Sequence, residues 1–303
     1  MDYVLNTDGI TKTYGNHTVV DHVDMHVKKG DIYGFIGKNG AGKTTFMRIV
    51  AGLAAPASGN MELFGSRELE KQRQRIGTLI EHPGLYGSMT AKENLQVARK
   101  SYGITRKSSV EEMLEFVGLT QAGKKKVKNF SLGMKQRLGI AIALFRNPDF
   151  LILDEPINGL DPQGIKEMRD LLLKLNEERQ ITILISSHIL GELSKIATRY
   201  GIIKEGALIE EFASEELKSR CRRCVKLVVD DTERASVILE ETCRITSYDV
   251  PEPGILRVFD GLHNSWEINR ELIQGGVHLK ESYLAGQDLE GYFMDLLGGA
   301  SND

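Results

Sequence analysis

Gly37-Lys38-Asn39-Gly40-Ala41-Gly42-Lys43-Thr44-Thr45 stands between an apolar run, Ile32 to Ile36, and a helix-like segment, Phe46 to Leu53. The stretch fits the phosphate-loop pattern G-x-x-x-x-G-K-[ST] at every required position, with a strand before it and a helix after. Glycines let consecutive backbone N–H groups turn inward around an anion without Cβ clashes, and the helix adds its unpaired N-terminal donors and positive dipole end. Gly37, Asn39, Gly40, Ala41, Gly42, Lys43, Thr44 and Thr45 are therefore the candidate positions for binding a nucleoside triphosphate. Lys43 would reach the β- and γ-phosphates, and the Thr44 hydroxyl would ligate Mg²⁺.

Outward from this loop the pattern is that of an α/β domain. Two strands are expected before it, in Val4 to Thr11 and Val19 to Val27, separated by the turn-like Tyr14-Gly15-Asn16. After it come the breaker cluster Ala55-Pro56-Ala57-Ser58-Gly59 and strands at Asn60 to Phe64 and Ile76 to Ile80. Glu81 to Lys128 reads as a helical insertion, in which Thr90-Ala91-Lys92-Glu93 has capping-box spacing and marks a helix start. From Ser131 helix and strand alternate: a helix to Phe145, a buried strand Phe150 to Leu153, a helix after Pro162 and a strand Ile181 to Ile185. That is the layout of a parallel sheet covered by helices. Tyr200 to Lys204 and Ala207 to Phe212, joined by Glu205-Gly206, read as a hairpin.

Beyond about Ser214 the order becomes strand (Val225 to Asp230), helix (Arg234 to Glu241), strand (Arg244 to Val250), strand (Ile255 to Phe259), helix (Trp266 to Gly275) and strand (Val277 to Leu284). This βαββαβ sequence is ferredoxin-like, and a closing helix, Leu289 to Leu297, follows it. A chain of 303 residues suits one large and one small domain. The expected division is residues 1–215, with a helical subdomain at about 82–147, and an accessory or regulatory domain at 216–303.

Composition narrows the function classes. With 41% apolar and 27% charged residues the chain can bury a sizeable core. Its net charge of −3, from 39 basic and 42 acidic residues, supplies no general attraction to nucleic acid or to an anionic membrane surface. No nucleic-acid partner is expected. No apolar run approaches the roughly 18 residues that cross a bilayer, and Met1-Asp2-Tyr3-Val4-Leu5 lacks the features of a secretory signal, so a cytoplasmic location is expected. Three cysteines, an odd number, do not read as a disulfide framework; Cys221 and Cys224 have the C-x-x-C spacing of half a zinc site, but Cys243 has no matching Cys or His beside it, so no metal is assigned there.

Phe150-Leu151-Ile152-Leu153-Asp154-Glu155-Pro156 places two carboxylates at the carboxyl end of a buried strand, where α/β sheets put their ligands. Adjacent residues of an extended chain point to opposite sides, so the two acids cannot do the same job. Asp154 is assigned to the Mg²⁺ shell and Glu155 to the attacking water, as base or orienting group.

With these motifs in this order, the first 215 or so residues resemble an ABC-type ATPase subunit. The resemblance implies a P-loop ATPase with a mixed sheet core, a helical subdomain and ATP as the nucleotide; the α+β C-terminal domain lies outside it. The segment Phe130-Ser131-Leu132-Gly133-Met134-Lys135-Gln136 is similar to the family's signature, Leu-Ser-Gly-Gly-Gln in many members, with Ser131 and Gly133 kept. By that resemblance, Ser131 and Gly133 cap the γ-phosphate of ATP held by a second subunit, so the site needs two chains, alike or different. Asn158-Gly159-Leu160-Asp161 resembles the D-loop, with Asp161 in the nucleotide-binding set, and Ser187-His188 resembles the switch histidine, which implies that His188 helps orient water. Tyr14 sits where the family stacks an aromatic ring on adenine.

One departure stands out. Where most members carry glutamine after the strand Ile76 to Ile80, this chain has Glu81. With the variant signature, this is similar to the subgroup that exports bacitracin and lantibiotic peptides for self-protection. Glu81 would then be a charged ligand near Mg²⁺ or the catalytic water. The resemblance implies a separate integral membrane permease as partner and a peripheral position on the inner face of the membrane. The alternatives are a soluble mechanochemical ATPase on ribosomes or DNA, which usually pairs two cassettes in one chain or carries a long coiled coil, and a nucleotide-dependent sensing module. One motif set and no sustained heptads stand against the first of these.

Overall fold

The computed structural model describes residues 3–221, 223–260, 264–286 and 289–296. They form two compact units, Met1–Ser214 and Glu215–Asp303, taken here in turn.

The first unit runs β1 (Tyr3–Tyr14), β2 (His17–Val23), β3 (His26–Lys28), β4 (Ile32–Ile36), α1 (Lys43–Val50), β5 (Ser58–Leu63), α2 (Leu69–Arg73), β6 (Ile76–Leu79), α3 (Ala91–Ser101), α4 (Ser109–Phe116), α5 (Leu132–Ala143), β7 (Phe150–Leu153), α6 (Pro162–Arg179), β8 (Thr182–Ser187), α7 (Leu190–Leu193), β9 (Arg199–Lys204) and β10 (Ala207–Ala213). Its main sheet has the order β10-β9-β4-β8-β7-β6, parallel throughout except for the β9–β10 hairpin at one edge. β4, β7 and β8 are buried along their whole length, which is why they read as continuous apolar runs rather than as alternating ones. A second, antiparallel sheet is built on β1, which pairs β2, β3 and β5. α1 buries Phe46, Met47, Ile49 and Val50 in one core cluster with Leu5, Ile10 and Val23 of the second sheet, Met25, and Phe35, Phe150 and Ile152 of the main sheet. The phosphate-loop helix is thereby locked into the core.

Two expectations about this unit need correction, and one element was not anticipated. The single strand Val19 to Val27 is two strands, broken at Asp24. At the break the buried Thr7 hydroxyl donates to the Val23 carbonyl at 3.0 Å and accepts the Met25 N–H at 2.8 Å, doing the pairing that backbone would otherwise do. The short α2 carried no periodic signal; Arg73 at its end donates to the Ile49 and Val50 carbonyls at 3.2 and 3.3 Å, satisfying the last turn of α1. The stretch Glu81 to Lys128 is only partly helical, as α3 and α4 joined by loops and single 3₁₀ turns.

Thr90 caps α3 as its spacing suggested. Its hydroxyl accepts the Glu93 N–H at 3.2 Å, while the Glu93 carboxylate accepts the Thr90 N–H at 2.6 Å. That backbone donor, followed by Lys126, holds the Glu93 carboxyl below the usual carboxylate range. Thr90→Ala is expected to lower stability by about 1 kcal/mol, read as a shift of the urea midpoint at constant slope.

The second unit contains α8 (Ser214–Arg220), β11 (Cys224–Val229), α9 (Thr232–Val237) extended by a π turn to Thr242, β12 (Tyr248–Glu252), β13 (Ile255–Val258), α10 (Ser265–Gln274), β14 (Leu279–Ala285) and α11 (Leu289–Leu296). Its sheet is antiparallel in the order β12-β13-β11-β14, the arrangement of two interleaved βαβ units. Val225, Leu227, Val229, Leu256 and Val258 face Ala235, Leu239, Ile268 and Leu272. The strand expected from Arg244 begins only at Tyr248, because Arg244 takes φ +55° and Ile245 turns into the core. Leu297 lies outside the described residues. Cys224 is buried and Cys221 and Cys243 are half-buried, and among the described residues no cluster of three or more His, Cys, Asp and Glu could hold a metal.

Candidate active site

The phosphate loop leaves β4 at Ile36 and enters α1 at Lys43. Its glycines serve different ends. A Cβ on Gly37 would lie 2.5 Å from the Ile203 carbonyl oxygen, and one on Gly42, at φ +104°, 2.5 Å from that of Val19. Those two positions are fixed by close backbone approach, whereas Gly40, at φ +82°, borders open space. The loop is tied to its surroundings through main chain: Gly206 N–H donates to the Ala41 carbonyl at 3.1 Å, and the Gly206 carbonyl accepts the Asp21 N–H at 2.9 Å. No side chain caps the amino end of α1, so its first-turn donors face the loop. Asn39 is exposed at the loop tip and Thr45 is half-buried.

Lys43 is buried, and its Nζ donates to the Gly37 carbonyl at 2.7 Å and the Lys38 carbonyl at 3.2 Å. It also stands 3.6 Å from Glu155 Oε1. Asp154, 5% exposed, accepts the Thr44 hydroxyl on Oδ2 at 2.7 Å. Glu155 departs from the strand at φ +49° and turns its carboxylate the other way, with Oε2 2.7 Å from His188 Nδ1. Its Oε1 is buried and has no hydrogen-bond partner, although the Lys43 cation is near. Five of the sequence-selected residues, Lys43, Thr44, Asp154, Glu155 and His188, thus meet at one place, where β7 and β8 end beside α1.

The remaining candidates lie elsewhere. Tyr14 ends β1 in the hairpin opposite His17, 51% exposed, with the Lys12 ammonium 5.0 Å from its ring centre. Ser131 is the N-cap of α5, its hydroxyl accepting the Met134 N–H at 3.3 Å, and Gly133 lies in that helix's first turn. Asp161 is the N-cap of α6, accepting the Gly164 N–H at 3.1 Å, with Pro162 at the first helical position. The two helix starts lie close together: a Cβ on Gly133 would sit 3.6 Å from Leu160 Cδ2 and 4.0 Å from Gly164 Cα. Glu81, at φ +63°, is bonded by Arg48 Nη2 at 2.5 Å. Arg48 lies one turn along α1 from Thr44, on the same helix face.

Two polar partners escaped the sequence reading. Arg48 is one, because a link across 33 residues leaves no local pattern. Ser186 is the other: fully buried, its Oγ accepts the Glu155 N–H at 2.8 Å and donates to Asp154 Oδ1 at 2.6 Å. Its available signal was a pair of serines ending an otherwise apolar strand.

Comparisons with known proteins identify the family. Residues 20–158 match the ABC transporter family model. The chain is 45% identical over 304 residues, 99% of both chains, to the bacitracin transport ATP-binding protein BcrA of Bacillus licheniformis. It is 44% identical over 208 residues to the lantibiotic transport ATP-binding protein SrtF of Streptococcus pyogenes, covering 69% of this chain and 90% of that one. Among solved structures, the dimeric post-hydrolysis ATP-binding cassette MJ0796 with ADP and Pi matches at TM-score 0.62 and 26% identity, over 69% of this chain and 98% of that one. CbiO1 of Clostridium perfringens, part of the ABC transporter complex cbiONQ, matches at TM-score 0.64 and 26% identity, over 80% and 97%. A phosphate loop, a strand-end carboxylate pair and a histidine joined at the carboxyl ends of the central strands, in a chain with these relatives, make this protein a member of the ABC transporter ATP-binding family, an ATPase.

Proposed function

We propose that the chain is the ATP-hydrolysing subunit of an exporter whose membrane-spanning part is a separate permease, and that the cargo is a bacitracin- or lantibiotic-like peptide or another amphiphile, expelled for self-protection. The observation that carries this reading is the 45% identity to a bacitracin transport ATP-binding protein along 99% of both chains. Among the described residues no helix is long and apolar enough to cross a membrane, so the translocation path is assigned to the partner. The subunit then works at the cytoplasmic face. A second ATPase subunit, the same chain or another, presents its α5 start, with Ser131 and Gly133, to this chain's nucleotide.

The donor set suits Mg²⁺: the Thr44 hydroxyl and the Asp154 carboxylate are hard oxygen ligands beside the amino end of α1, as a cation shared with phosphates requires. When bound, Mg²⁺ would supply charge neutralisation for the phosphates. Lys43 leaves its carbonyl partners for the phosphates. Glu155 Oε1 is the free acceptor that takes or orients a water proton, while His188 holds the other oxygen of that carboxylate. Tyr14 offers an exposed ring to the base, and Glu81, an exposed carboxylate held by Arg48, is the further acid whose charge would bear on metal dependence.

The test is protection. Co-expressed with a permease of about six spans in a bacitracin-sensitive host, the chain is expected to raise the inhibitory concentration of bacitracin, and Glu155→Gln to abolish the gain. Protection that survives Glu155→Gln would remove ATP hydrolysis from the function.

A further inference from the structure

β8 reads Thr182-Ile183-Leu184-Ile185-Ser186-Ser187, buried at every position. A hydroxyl placed there has to find partners inside the protein, since an unpaired buried polar group is costly. Ser186 Oγ has two, both on the neighbouring β7 side: the Glu155 N–H at 2.8 Å and Asp154 Oδ1 at 2.6 Å. A serine carries one proton. The amide must donate to Oγ, so the hydroxyl proton goes to the Asp154 carboxylate, and the short separation is that of a charge-assisted bond. The other oxygen of the same carboxylate accepts the Thr44 hydroxyl at 2.7 Å. Two hydroxyls, one from β8 and one from α1, therefore fix the plane of one acid.

The amide side of the contact matters as much. Glu155 at φ +49° occupies a left-handed conformation that residues with a Cβ seldom adopt. Its N–H bond to Ser186 holds it there, and that turn sends the carboxylate toward Lys43 and His188 while Asp154 stays on Thr44. Strand alternation then sends Ser187 the other way, where its Oγ accepts the Ile189 N–H at 2.9 Å and shapes the turn carrying His188.

We infer that Ser186 is a positioning residue for hydrolysis, its hydroxyl setting the two carboxylates of the site apart and aiming each at its own task. Its hydroxyl is taken up by Asp154 and the Glu155 amide, so it acts through them. The inference rests on the roles proposed above for Asp154 and Glu155, and it adds a requirement that those roles do not contain. Removing the hydroxyl takes a donor from Asp154 and an acceptor from the Glu155 amide at once.

The test uses the full chain, alone for nucleotide binding and with its permease for turnover. Ser186→Thr and Ser186→Val have nearly the same shape and differ in hydroxyl against methyl. Relative to Thr, the Val variant is expected to lower kcat and raise the half-saturating Mg²⁺ for nucleotide binding, each on the order of 10–100-fold, the weight of one bond to a charged group. ATP binding without Mg²⁺ should be the same in both. Equal kcat and equal Mg²⁺ dependence in the pair overturns the inference, as does a parallel loss of metal-free ATP binding, which would make Ser186 a packing residue. Glu155→Gln, run alongside, separates the two claims: if it keeps full turnover the proposed roles fail, and if it is inactive while Thr and Val behave alike, only Ser186 is refuted.

Discussion

Glu155→Gln is expected to slow ATP turnover by about 10²–10⁴-fold, the usual share of a general base, while nucleotide affinity holds or rises. The amide keeps the length and planarity of the carboxylate, so the left-handed turn and the contact with Ser186 through the backbone survive. What goes is the charge that faces Lys43 at 3.6 Å and the acceptor strength of Oε1. With less negative charge near the terminal phosphate and no base for the water, the loaded protein should accumulate as a closed pair. Single-turnover hydrolysis and size-exclusion chromatography with MgATP check both halves. Wild-type turnover would take Glu155 out of the chemistry.

Lys43→Ala should have the larger effect on binding. The ammonium is buried and already gathered over the loop by the Gly37 and Lys38 carbonyls. A charge-assisted contact of that kind contributes about 1.5–3 kcal/mol, and two of them to phosphate oxygens imply a loss of affinity on the order of 10²–10⁴-fold. Titration calorimetry with ATP reads the loss directly. The variant also leaves Glu155 without its nearby cation, so thermal stability without nucleotide should fall too. An affinity within threefold of wild type would show that the backbone donors and the helix end carry binding by themselves.

Much of this arrangement was legible in the sequence because it is local. The loop between β4 and α1, the acids closing β7, the capping box at Thr90 and the turn between β9 and β10 are each written within a few residues, where hydrophobic period and turn chemistry speak plainly. The order of elements in the second unit was readable for the same reason. What stayed hidden depends on partners distant in the chain. Thr7 mends a break 16–18 residues away, and Arg73 closes a helix 23–24 residues upstream. Arg48 finds Glu81 across a loop, so the charge of Glu81 was legible and its neutralising partner was not. Ser186 falls just past the strand expected at Ile181 to Ile185; only the register of β7 against β8 brings it between the two acids. The site residues from α5 and α6 were legible as helix starts, and the structure gives their hydroxyl and carboxylate that capping work.

The tie from Asp21 through Gly206 to Ala41 uses carbonyls and amides alone. That tie therefore does not depend on which side chains Asp21 and Ala41 carry, but it does depend on Gly206. At Gly206, φ +89° and a Cβ position 2.8 Å from the Val19 carbonyl oxygen leave room for hydrogen only. The durability of the nucleotide cradle is vested in a residue that has no side chain to lose.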